Sequence, residues 1–331
     1  MRISVIVPVH NGADFLNRSL QAICDAKNDE TEIIVVDDGS TDAGGQLASR
    51  YTDKVLRLEK KSGSACARNF GAVEADGEIL FFVDADVVVG RDSIEFLENF
   101  FRGEPQYAAV FGSYDDAPAE TDFFSQYRNL IHHYFHQLSP AEAETFWSGC
   151  GAVRKDVFQA VNGYNGNLYS RPSIEDIEFG YRLREEGYRI RLEKNFQAKH
   201  LKKWSFRNII RTDIFYRALP WSRLLVENRG RRHTLNADLT QKISAGAAWL
   251  TVLSVLAAAL VTREFLFASL LGLAVIFGLN WQLHKFFWRK KGPVFVVGAL
   301  AMQILYYLYS SLVFAACVFE FYLWRKFRGK E

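Results

Sequence analysis

Six carboxylates in this sequence stand where carboxylates do chemistry. Asp84-Ala85-Asp86 follows the apolar run EILFFV, Glu78–Val83. Two carboxylates so spaced at a strand end can share a hard divalent cation, Mg²⁺ or Mn²⁺, that bridges to a diphosphate. The plainer alternative is an acidic loop, and the place after a buried apolar run favours the cation. Asp37-Asp38 closes a second apolar run, EIIVV, and leads into Gly39-Ser40. That pair suits a ligand contact, and equally an Asx turn or a helix cap. Glu175-Asp176 precedes the amphipathic stretch Ile177–Leu183, where acids complement a helix dipole. One of the two could instead deprotonate an attacking hydroxyl.

The elements that must position these acids are legible around them. Ile3–Val9 is apolar and β-branched and ends at Pro8 and Asn11-Gly12, a buried strand followed by a turn. Phe15, Leu16, Leu20 and Ile23 recur at helical spacing. Glu32–Val36 and Glu78–Val83 are further buried strands, Lys54–Leu58 a short one, and Ser64–Ala75 a helix. Alternation of this kind predicts an α/β fold, a mostly parallel sheet with helices on both faces. Ligands in such sheets sit outside the carboxyl ends of the strands. Pro8–Asn11, Asp37–Asp42 and Asp84–Asp86 all fall at those ends.

Charge divides the chain. Residues 1–198 carry 20 Lys+Arg and 32 Asp+Glu, a balance of 20 − 32 = −12; residues 199–331 carry 20 and 6, a balance of +14. The acidic part does not suit a nucleic-acid binder, so no nucleic acid is expected as a partner. The basic, apolar part suits anionic lipid. Cys24, Cys66, Cys150 and Cys317 are widely spread, which indicates neither a zinc cluster nor a disulfide framework and fits a reducing compartment. The opening MRISVIVPV is too short an apolar run for a signal peptide and reads as a first strand.

Beyond His200 the pattern changes. Phe206, Ile209, Ile210, Ile214 and Ala218 predict one apolar helical face, with Pro220 breaking the helix. Lys199–Arg232 holds 10 Lys+Arg and 2 Asp+Glu, the composition of an amphipathic segment in a membrane interface. Ile243–Val261, Phe265–Trp281 and Val294–Phe319 follow as long apolar runs. A span needs roughly 20 apolar residues, so about three transmembrane helices are expected rather than a buried bundle. Basic residues before the first run and in Lys285–Lys291 put those sides, and the N-terminal domain, on the cytoplasmic face. The basic tail Arg325–Lys330 conflicts with a simple three-span topology. The expected division is 1–203, a catalytic domain; 204–240, a basic interfacial segment; and 241–325, a transmembrane region.

Five motifs in order, SVIVPVHNG, IIVVDDGSTD, SGSACARNFGA, FFVDADV and SIEDIEFGYRLREEGYRI, resemble those of the inverting glycosyltransferases of family 2. The resemblance covers approximately residues 1–205 and implies the Rossmann-like GT-A fold. It implies transfer of a sugar from a nucleotide diphosphate sugar to an acceptor hydroxyl or phosphate. Pro8 would lie near the base, Asp38 would hydrogen-bond it, and Arg68 would line the nucleotide pocket. The plainer alternative for Arg68 is a solvated helix residue. Asp84 would lie near ribose and metal, Asp86 would bind the metal, and His200 would be a third ligand or a structural histidine. Glu175-Asp176 would supply the base, Asp176 taking that role. Trp147, Gly149, Cys150 and Gly151 would contact the acceptor and donor sugar, the small residues allowing close approach, or else form an ordinary glycine turn. Arg217–Trp221 resembles the Gln-x-x-Arg-Trp signature of processive relatives but has Arg and Pro220 where Gln and Arg stand. Trp221 is then either a cover for the acceptor site or an interfacial anchor.

The leading expectation is an integral membrane enzyme that adds one sugar to a lipid-linked or membrane-proximal acceptor. A polymerising polysaccharide synthase is the second reading, and three or so spans would require a homo-oligomer or an envelope-biosynthesis partner to build a channel. A catalytically inactive sugar- or nucleotide-binding scaffold is the third; intact Asp38, Asp84, Asp86 and Asp176 argue against it.

Overall fold

The computed structural model describes residues 1–169, 173–227 and 239–328. By internal contacts the chain divides into two compact units, Met1–Ser205 and Phe206–Glu331.

The first unit is built on the strands β1 (Ile3–Val9), β2 (Thr31–Asp37), β3 (Lys54–Arg57), β4 (Ile79–Val83), β5 (Val87–Val88), β6 (Tyr107–Tyr114), β7 (Glu142–Ala143), β8 (Cys150–Arg154) and β9 (Arg189–His200). They form one sheet in the order β3-β2-β1-β4-β8-β6-β9-β5, with β7 on β9. The β3-β2-β1-β4 half is parallel throughout. Past β4 the sheet is mixed: β8 runs antiparallel to β4 and β6, and β9 runs parallel to β6. The mostly parallel sheet expected from the sequence is therefore true of the N-terminal half alone. α5, α6 and α7 lie between these later strands, so a helix between two strands does not by itself make them a parallel pair.

Why β1 and β4 read as unbroken apolar runs is plain from their burial. Val5, Val7, Phe81 and Val83 point to one core, with α1 (Ala13–Ala26) laying Leu16, Leu20 and Ile23 on it. Ile6, Leu80 and Phe82 point to the other, covered by Ala65, Ala67 and Ala72 of α3 (Ser64–Glu74). Each fully buried large aliphatic side chain stabilises by roughly 1.5–3 kcal/mol. Gly71 lets α3 lie close: a Cβ there would come within 2.6 Å of Ile6. The other helices of this unit are α2 (Gly44–Ala48), α4 (Ser93–Gly103), α5 (Phe123–Leu138), α6 (Lys155–Ala160) and α7 (Glu175–Glu185). Glu175 and Asp176 are thus the first residues of a helix rather than its prelude. Cys150 and Gly151 lie in a strand, with α6 beginning only at Lys155.

In the second unit α8 (Phe206–Arg211), a π-helix (Thr212–Ala218) and α9 (Leu219–Glu227) follow without a gap. Pro220 does not break the helix: it sits in the first turn of α9, where its missing N–H costs least. The wider π-turn also rotates the predicted apolar face. Ile209 is buried, Phe206 is exposed, and Asp213 is buried where it accepts a 2.7 Å hydrogen bond from the Tyr309 hydroxyl. Arg229, Arg231, Arg232 and the end of the basic tail lie outside the described residues.

Two helices, α10 (Leu239–Leu260) and α13 (Pro293–Arg328), are long and apolar enough to cross a membrane. The middle apolar run is not one straight helix. It ends at Leu279 as α11 (Phe265–Leu279), and Trp281 begins α12 (Trp281–Lys291) after a 78° bend.

Candidate active site

Three strand ends of the first unit converge through hydrogen bonds between their loops. The Asp38 N–H donates to the Val9 carbonyl at 2.8 Å, and His10 Nδ1 lies 2.8 Å from the Asp38 carbonyl. Asn11, at φ 53°, donates its N–H to Ser40 and accepts at Oδ1 from the Thr41 N–H. Pro8 is half-buried in β1 beside Val36. Asp37 accepts from the Ser40 N–H at 2.8 Å. Asp38 is buried, and its two carboxylate oxygens accept from the N–H groups of Ser62 and Gly63 at 2.6 and 2.9 Å. It thereby clasps the loop that starts α3.

Arg68, projecting from α3, is 4% exposed. One guanidinium nitrogen meets Asp84 Oδ1 at 2.7 Å and the other meets Glu175 Oε1 at 3.1 Å. Burial works against its charge; the carboxylates of Asp84 and Glu175 outweigh that and raise its pKa. Arg68 therefore bridges the end of β4 to the start of α7 and is not a solvated helix residue. Glu175 is spoken for as well, accepting from the Ser64 hydroxyl at 2.6 Å and the Ser173 N–H at 2.7 Å.

Asp176 has the opposite setting. It accepts from the Ile177 N–H at 2.9 Å and a long 3.4 Å contact from the Ser148 N–H, with no cation paired to it among the described residues. Burial, and then the negative charge of Glu175, push its pKa up to about 7, against the lowering pull of Arg68. Two adjacent acids are thus set apart by environment, one paired to a guanidinium and the other exchanging protons near neutrality.

Past Asp84 the chain turns and forms the two-residue strand β5, which pairs antiparallel with the end of β9, Val87 opposite His200. This pairing brings Asp86 Oδ2 to 3.6 Å from His200 Nε2. Burial would raise the Asp86 pKa, but the hydrogen bond and charge of His200, with Lys202, lower it. A carboxylate and an imidazole facing each other are a donor pair whose chemistry suits a divalent cation. Asp84 contacts Arg68 rather than joining them, and among the described residues no group of three His, Cys, Asp or Glu side chains gathers.

Trp147 lies beside this pair in an aromatic cluster. Its ring is 4.7 Å from Tyr114, 4.9 Å from His132 and 5.6 Å from His136, and Tyr114 stacks on His200 at 4.3 Å. The space left by Gly149 is filled by the Trp147 indole, 2.6 Å from an added Cβ, and that of Gly151 by the Trp147 carbonyl and the Phe146 ring. These glycines admit protein neighbours. Cys150 is fully buried and burial raises its thiol pKa. Trp221 belongs to α9 of the second unit. Tyr114, His132, His136 and Ser64 are missing from the sequence reading. The i, i+4 spacing of His132 and His136 on α5 was the available signal.

Comparison with known proteins follows the same outline. Residues 4–162 match Glycosyl transferase family 2, and residues 131–204 match the N-terminal domain of galactosyltransferase. The glycosyltransferase GlyA of Streptococcus pneumoniae is 26% identical over 261 residues, covering 72% of this chain and 35% of its own. GlyG of the same organism is 36% identical over 117 residues, 34% of this chain and 38% of its own. The chain thus spans between a third and two fifths of the length of these curated relatives. The mannosyltransferase PcManGT from Pyrobaculum calidifontis, solved in complex with GDP-Man and Mn²⁺, shares the fold at a TM-score of 0.58. The two are 18% identical over 95% of this chain and 87% of that one.

Proposed function

From a chain that carries a family 2 glycosyltransferase domain, we propose an inverting transferase that moves a sugar from a nucleotide diphosphate sugar to a membrane-proximal acceptor, with Asp176 as base. The observation that carries this reading is the contrast at the start of α7. Glu175 is paired to Arg68, while Asp176 has no paired cation among the described residues and a pKa pushed to about 7. A base working near neutral pH needs such a value.

In this reading Asp176 accepts the proton of an acceptor hydroxyl. The acceptor oxygen bonds to the anomeric carbon as the bond from that carbon to the diphosphate breaks. The nucleoside diphosphate leaves with the electron pair, and the anomeric configuration inverts. Asp86 and His200 would hold the divalent cation, Mg²⁺ or Mn²⁺, which when bound neutralises charge on the leaving diphosphate. Asp38 and Pro8 would flank the nucleotide. Arg68 acts as a positioning residue, fixing Asp84 relative to Glu175. The two apolar helices, α10 and α13, support a membrane-anchored enzyme with a lipid-linked acceptor.

Asp176→Asn tests the assignment. General base catalysis contributes about 10²–10⁴-fold, so turnover should fall by that factor. Calorimetric binding of nucleoside diphosphate with Mn²⁺ should be nearly unchanged. Collapse of nucleotide affinity would remove Asp176 from the acceptor side. A loss of only a few-fold would point to an acceptor already ionised, such as a lipid phosphate, and end the base assignment.

A further inference from the structure

The bend between α11 and α12 is built, not incidental. Asn280 stands at the break and is buried. Its Nδ2 donates to the Ile276 carbonyl at 2.9 Å and to the Ser244 hydroxyl of α10 at 3.2 Å; its Oδ1 accepts from the Tyr307 hydroxyl of α13 at 3.2 Å. One turn further, His284 meets Gln303 of α13 at 2.9 Å and stacks on Phe277 at 4.7 Å. Buried polar groups that bond three helices together hold one geometry, because losing any partner leaves the others unsatisfied. The 78° turn is therefore fixed, and α12 does not continue the line of α11.

The dimensions agree with that. α11 has 15 residues, about 22 Å at 1.5 Å per residue, short of the ~30 Å apolar core. An amphipathic helix lying in the interface sinks about 5–10 Å into the boundary, which closes the difference. The surface of α12 has the matching composition. Leu283, His284 and Phe287 are buried against the bundle. The opposite face carries Trp281 and Trp288, both exposed, with Lys285 and Arg289 beside them. Lys290 and Lys291 follow at the exposed C-terminal end, and no acidic residue occurs between Trp281 and Lys291. Tryptophan and basic side chains on one face of a helix match the headgroup level of a bilayer, the rings at the acyl boundary and the cations among phosphates.

We propose that α12 is an in-plane helix that binds the phosphate headgroups of anionic lipids through Lys285, Arg289, Lys290 and Lys291. The proposal rests on the membrane reading above. It adds that this surface selects lipid by charge, with the Asn280 corner holding α12 in the plane. Each basic residue close to an anionic surface adds only a modest attraction, so selection depends on several acting together.

The test uses the full chain reconstituted in phosphatidylcholine bilayers that contain a trace of dansyl-labelled phosphatidylglycerol or dansyl-labelled phosphatidylcholine. Energy transfer from tryptophan reports which lipid gathers at the protein. The expected result is several-fold stronger transfer to the anionic probe at low salt, weakening as salt rises. In the K285Q/R289Q/K290Q/K291Q variant that preference should fall several-fold, the other basic residues of the chain supplying what remains. Equal transfer in the wild type, or an anionic preference undiminished in the quadruple variant, overturns the proposal. Flotation in pure phosphatidylcholine is measured alongside. A chain that stays in the aqueous phase without detergent overturns the membrane reading and this proposal together. A chain that floats without charge preference overturns this proposal alone.

Discussion

At the scale of single residues, the site turns on one buried guanidinium. The family resemblance implies Arg68 in the lining of the nucleotide pocket. Its anions are Asp84 and Glu175, four strands and three helices apart in the chain, and no spacing rule joins them. Removing one member of a buried charge group leaves the rest uncompensated and costs about 3–5 kcal/mol. Arg68→Ala should show that loss in urea unfolding, and Arg68→Lys should recover only part of it because the two-pronged contact is lost. The pH behaviour of Asp176 follows from its raised pKa. Its ionised form exists mainly above about 7, so kcat/KM should fall tenfold per pH unit below that value. Since folding favours the protonated acid, the stability it contributes is present at low pH and is lost as pH rises from about 4 through 7. Asp176→Asn should accordingly melt above the wild type at pH 8, with the gap closing toward pH 4.

At the scale of elements, legibility followed signal length. β1 was readable to the residue and β4 to within one, because an apolar run bounded by turn residues has few other interpretations. β5 and β7, at two residues each, have no periodicity to detect, yet β5 carries Asp86 to His200. The small residues of Trp147–Gly151 were visible, but what fills the space beside them is a tertiary fact. Gly149 is the sharpest case. A methyl group there meets the Trp147 indole at 2.6 Å, and overpacking of this kind costs typically about 1–3 kcal/mol. Displacing the indole also disturbs Tyr114, which stacks on His200. Gly149→Ala should therefore raise the metal concentration needed for half-maximal turnover, beyond any loss in thermal stability. An unchanged metal titration would separate the aromatic cluster from the cation pair.

At the scale of the whole molecule, the charge division of the sequence falls near the contact boundary at Ser205, and the apolar C-terminal runs became helices. The bend at Asn280 was illegible because a polar residue in an apolar run marks a break only when its partners on other helices are known. If the cation reading is right, a chelator should abolish turnover and added Mn²⁺ or Mg²⁺ should restore it, followed by release of nucleoside diphosphate. Undiminished turnover in chelator would remove the metal from the reaction. One feature of the sheet also bears on the order in which a ribosome makes this protein. Asp86 emerges early and His200 is almost the last residue of the first unit, and only the final two residues of β9 reach β5. A chain clipped just before Lys199 keeps every other pairing of β9 and yet lacks the imidazole. If Asp86 and His200 hold the cation, that competence arrives only with the end of the domain, and a half-made or trimmed chain lacks one member of the pair.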